Sequence, residues 1–168
     1  MQANTLKDLY IDQLRDLYSA ETQLVDALPK MANAASTSDL KKAFQDHLKE
    51  TQDQKQRLEQ IFSEMGTSPQ GKTCEAMKGL IKEGEESIKL QGDPAVRDAA
   101  LIAAAQRVEH YEMAGYGTVR TFANELGFGN AKSLLQRTLD EEGDANKKLT
   151  SIAEGGLLSN GVNQKAMA

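Results

Sequence analysis

Tryptophan is absent from the 168 residues, cysteine occurs once and proline three times. Aromatic side chains make up only 5%, too few for the packed faces of a typical β-sandwich or barrel. So few prolines leave room for long unbroken helices. The lone cysteine, Cys74, has no internal partner for a disulfide, in keeping with a reducing compartment. No run approaches 18 uninterrupted apolar residues, so no membrane span is expected. The opening MQANTLKDLY has neither the charged start nor the apolar stretch of a signal peptide. Twenty Lys and Arg against 25 Asp and Glu give a net charge of −5, which argues against nucleic acid or an anionic membrane surface as a partner. These absences leave a helical, cytoplasmic protein.

The length suits one domain with a substantial core. Four long segments carry apolar residues at helical spacing. They run from about Thr5 to Met31, Asp39 to Met65, Pro94 to Leu126 and Ala131 to Ala153. Asp93-Pro94 reads as an N-cap followed by proline at the first helical position, and Ser36 to Asp39 offers caps for the second segment. Gly66, Gly127 and Gly155 stand where left-handed residues close helices. Short connections make segments one and two, and three and four, antiparallel neighbours. The longer stretch Gly66 to Gly92 suits a crossover along the bundle, with a fifth short helix over 74–81. An all-α four-helix bundle over residues 1–154 is the expectation, with a flexible tail over 155–168.

Acids interrupt all four apolar stripes. The first seam reads Leu14, Leu17, Glu21, Leu24, Leu28. The second reads Leu40, Ala43, His47, Glu50, Gln54, Leu58, Ile61, with three polar positions at its centre. The third reads Ala99, Ile102, Gln106, Glu109, Met113, Tyr116, with Glu112 one turn from Glu109. The fourth reads Leu134, Thr138, Glu141, Ala145, Ile152, with Asp144 one turn on. At about 1.5 Å per residue each hairpin brings its acids to one height. Several carboxylates in one core repel unless they are protonated or neutralised by metal. This spacing is what a dinuclear carboxylate site in a helix bundle needs. His47 reads either as a ligand, as a partner of a ligand, or as a core histidine bonded to a carboxylate. Tyr18, Tyr111 and Tyr116 read as core, one of them able to bond a ligand carboxylate. His110 falls off the seam, and no redox role attaches to Cys74.

The runs Tyr18 to Leu24, His47 to Thr51 and Val96 to Glu112 resemble the YciF/YciE family of bacterial stress-associated proteins. The resemblance covers Thr5 to Ala153. It implies the ferritin-like superfamily, a homodimer, and a metal-binding stress protein. Laid on this sequence, the superfamily motifs match Glu21, the run Glu50 to Asp53, the Glu109-x-x-Glu112 pair, and the run Glu141 to Asp144. Asp53 and Asp144 stand where histidines are usual, so the expected site is richer in carboxylate and either suits manganese or ferric iron or binds metal more weakly.

Two metal ions, iron or manganese, would thus be held by a set drawn from Glu21, His47, Glu50, Asp53, Glu109, Glu112, Glu141 and Asp144. One function is a di-metal oxidoreductase acting on peroxide or oxygen. Iron sequestration without turnover is a second, and a non-catalytic interaction bundle a third. No rubredoxin-like cysteine pairs are present to feed electrons in.

Overall fold

A computed structural model describes residues 3–156 and 159–167 of the chain. Helix α1, Leu6–Ala34, opens on a reciprocal cap. Thr5 Oγ1 accepts from the Asp8 amide at 3.1 Å, and the Asp8 carboxylate accepts from the Thr5 amide at 3.0 Å, satisfying two otherwise orphaned amides. Helix α2, Ser38–Glu64, follows after a short turn. Its cap is supplied from elsewhere in the chain. Thr37 makes no side-chain cap bond. The buried carboxylate of Asp98 instead accepts from the amides of Ser36 and Thr37, both at 2.8 Å.

The crossover carries α3, Glu75–Ile88, longer at its C-terminal end than the 74–81 expectation. Cys74 caps it, with Sγ accepting from the Met77 amide at 3.4 Å, and Met77 is fully buried. Helix α4, Pro94–Glu125, starts as expected on Asp93, whose carboxylate accepts from Ala95 and Val96. Helix α5 spans Gly129–Glu154. Gly66, Gly127 and Gly155 all have positive φ, which only glycine adopts without strain.

The segment expected to be a flexible tail is partly folded. Strands β1, Gly155–Gly156, and β2, Ser159–Asn160, pair antiparallel, and α6, Val162–Lys165, follows. Val162 is buried and joins the core, so apolar contact holds a stretch too short to show periodicity.

Helices α1 and α2 form one hairpin, α4 and α5 the other, and the hairpins meet through α1 against α4 and α2 against α5. Helix α3 lies on α1 and α4. The apolar core divides into two clusters. One holds Leu24, Leu28, Phe44, Leu101, Ile102 and Leu149. The other holds Leu14, Leu17, Leu58, Ile61, Tyr116, Val119 and Leu135. Each long helix changes cluster across a polar interval: Glu21 on α1, His47 to Gln54 on α2, Glu109 and Glu112 on α4, Thr138 and Glu142 on α5. Among the described residues no helix is long and apolar enough to cross a membrane.

Candidate metal centre

The polar interval places Glu21, His47, Glu109, Glu112 and Glu142 inside the bundle, none more than 7% exposed. One ligand atom from each of His47, Glu109, Glu112 and Glu142 lies within 4.8 Å of the others. Ligand oxygens sit roughly 2 Å from a first-row ion, so opposite ligands lie about 4 Å apart. The set therefore needs only slight contraction to close on a metal. His47 Nε2 turns inward, 3.4 Å from Glu109 Oε1 and 3.8 Å from Glu142 Oε2.

Most carboxylate oxygens in this core have no hydrogen-bond partner. Glu21 Oε2, Glu109 Oε2, both oxygens of Glu112, and Glu142 Oε2 are buried and unpaired. Buried polar atoms are nearly always paired, because an unmet one costs about 1–3 kcal/mol, more if charged. Five orphaned acceptors in the core that also holds His47 fit a divalent or trivalent cation.

The electrostatics describe the same cluster with protons in place of metal. Burial pushes Glu21 up to about 7, against the pull of the Tyr116 hydroxyl and His47. Burial and the neighbouring carboxylates hold Glu112 and Glu142 well above the usual carboxylate range. Burial opposes the His47 imidazolium, but Glu109, Glu50 and Glu21 outweigh it and raise its pKa above the ordinary value. Protons thus compensate the charge of the metal-free cluster.

The other expected ligands lie elsewhere. Glu142, not Glu141, enters the core. Glu141 is half-buried in a bidentate pair with Arg57, at 2.6 and 2.9 Å, which holds its carboxyl below the usual range despite partial burial. Glu50 is exposed, its Oε2 3.4 Å from His47 Nδ1 at the outer side of the ring. Thr51 takes the buried place on that turn. Asp53 is exposed, and Asp144 is exposed and paired with Lys147 at 2.9 Å. His110 points outward and bonds the Gln106 carbonyl at 2.7 Å.

A cleft of about 170 Å³ between α2 and α5 leads from the surface to His47 and Glu109, with Glu50, Glu141, Asp144 and Lys148 at its walls. It gives small solutes a way to the cluster.

The family model described as a domain of unknown function, DUF892, matches residues 5–167. The chain belongs to this family. It is 47% identical over 167 residues to protein YciF of Escherichia coli K12, covering 99% of this chain and 98% of that protein. The crystal structure of that E. coli stress protein matches with a TM-score of 0.86 at 48% identity, over 89% of this chain and 94% of the other. YcfI of Rhodopseudomonas palustris matches equally well, with a TM-score of 0.86 at 46% identity, over 89% and 96%. A two-domain protein of Anabaena variabilis with DJ-1/ThiJ/PfpI-like and ferritin-like domains shares the fold alone. Its TM-score is 0.61 at 14% identity, over 98% of this chain and 39% of that one. The fold of this DUF892 member is ferritin-like.

Two members of the site escaped the sequence seams. Glu142 is masked by its neighbour Glu141. Arg57, 8% exposed, stands outside the seams set out from the sequence, yet it bonds Thr138 Oγ1 at 3.0 Å and pairs with Glu141. No sequence signal marks Arg57. The run Ala131, Leu135, Leu149 and Ala153, however, points to Glu142.

Proposed function

We propose that the polar interval binds two iron or manganese ions and that the protein uses them on peroxide or dioxygen, as a stress-associated oxidoreductase. The orphaned carboxylate oxygens carry this reading, since no side-chain or backbone donor pairs with them. His47, Glu109, Glu112, Glu142 and Glu21 are the proposed ligands. Glu50 is assigned outside the set, accepting from His47 Nδ1–H so that Nε2 keeps its lone pair toward the ions.

Bound there, such a pair supplies one-electron changes at each ion and Lewis-acid activation of a small oxygen species. The chain's part is to place and isolate that chemistry. The two apolar clusters above and below the interval exclude bulk water. The α2–α5 cleft admits small solutes beside His47. Glu21, Glu112 and Glu142 give up protons as metal enters.

The test is metal content followed by turnover. Protein grown with excess iron and manganese should hold about two ions per chain, lost on Glu109→Ala and on Glu142→Ala. Loaded wild-type protein should consume peroxide, and both variants should not. Retained iron without peroxide or oxygen consumption would replace catalysis with sequestration.

A further inference from the structure

We propose that Tyr116 and Gln54 are positioning residues for the metal centre. Each holds one oxygen of a ligand carboxylate, so that Glu21 and Glu142 would each offer metal a single oxygen. The proposal rests on the metal-binding reading above and deepens it.

Four carboxylates face the polar interval, and they are not equivalent. Tyr116 is fully buried and donates its hydroxyl to Glu21 Oε1, while Glu21 Oε2 has no partner. Gln54 is 1% exposed and donates Nε2 to Glu142 Oε1 at 2.5 Å, while Glu142 Oε2 is unpaired and lies 3.8 Å from His47 Nε2. In both cases an outer donor takes one oxygen and the free one lies among the unpaired atoms of the centre. Glu112 has two unpaired oxygens. Glu109 has one, and its other oxygen lies 3.4 Å from His47 Nε2. The outer donors thus constrain Glu21 and Glu142, the carboxylates that α1 and α5 bring to the centre.

The choice of donors suits this work. A buried phenol and a primary amide bring hydrogen without bringing charge, so neither adds to nor cancels the charge meant for metal. The two donors come from α4 and α2 and reach Glu21 on α1 and Glu142 on α5. Each bond therefore crosses one of the contacts between the two hairpins.

Cobalt(II) titration of the metal-stripped protein, followed by visible absorption and chelator competition, tests this. Wild-type, Tyr116→Phe, Gln54→Leu and Val119→Ala proteins are compared, Val119 being a fully buried apolar residue of α4 outside the centre. The expected result is an affinity about 10–100-fold weaker for Tyr116→Phe and Gln54→Leu, with an altered cobalt band shape in each. Val119→Ala should melt at lower temperature yet keep the wild-type affinity and spectrum. If one positioning variant fails to fold, the other decides. Wild-type affinity and spectrum in the folded variants, or losses no larger than those of Val119→Ala, overturn the proposal. A wild-type protein that takes up no cobalt, iron or manganese overturns the metal reading itself and this assignment with it.

Discussion

The side-chain amide of Gln54 lies 2.5 Å from Glu142 Oε1, and Gln54 also approaches Glu141 Oε2 at 3.3 Å. It stands between two adjacent glutamates with opposite fates. Glu142 is fully buried among acids, and Glu141 is drawn outward by Arg57. Glu142→Ala should therefore abolish tight metal binding. Glu141→Ala should keep the metal and cost about 1–3 kcal/mol of stability, because Arg57 is left with Thr138 alone. Asp53→Ala and Asp144→Ala should change neither. Elemental analysis and urea titration of the four variants check this.

The metal-free protein should lose stability as pH rises. Glu21 is pushed from an ordinary 4.5 up to about 7, and Glu112 and Glu142 well above 4.5. His47 is raised above 6.5. Each group then holds a proton in the folded chain that the unfolded chain has released. The folded state binds more protons, so its stability is greatest below about pH 4.5 for these carboxylates and falls through pH 7. In chelator, the urea midpoint at pH 8 should lie below that at pH 5.5. Saturating metal should reverse the order, because binding competes with those protons.

Glu21→Gln removes a buried charge and keeps an acceptor for Tyr116. A shift from 4.5 to about 7 corresponds to about 3 kcal/mol at high pH. Without metal at pH 8, the variant should gain about 2 kcal/mol, the rest being lost to imperfect pairing of the amide. With metal it should be the less stable protein. Denaturant titrations with and without manganese separate the two states.

Asp98 joins the hairpins rather than the metal. Its buried carboxylate caps the α1–α2 turn through two 2.8 Å bonds. Asp98→Ala should cost about 2–4 kcal/mol, since bonds to a charged acceptor are each worth about 1.5–3 kcal/mol. Its metal content should match wild type.

The bundle was legible because length, capping and hairpin spacing all agree from Thr5 to Ala153. The burial of Glu21, His47, Glu109 and Glu112 was legible too, since they stand on seams with apolar neighbours. On α5 the cause is local. A seam stepping by three and four residues can drift by one position where like residues adjoin. Leu134 and Leu135, then Glu141 and Glu142, make α5 degenerate in this way, and the buried Leu135, Thr138 and Leu149 set the phase that turns Glu142 inward. On α2 the seam passes through Thr51 instead of Glu50, and nothing in their chemistry announces it. Asp98 was invisible as a cap because the amides it serves lie about 60 residues earlier in the chain. The aperiodic tail was unreadable because a single buried valine anchors it.

The central claim is that metal occupies the space between His47, Glu109, Glu112, Glu142 and Glu21. Anomalous diffraction at the iron or manganese edge, from crystals of the metal-loaded protein, tests it most directly. Two anomalous peaks are expected among those five side chains, with Asp53 and Asp144 remote from both. A well-ordered bundle with no peak there, after soaking in either metal, would contradict it.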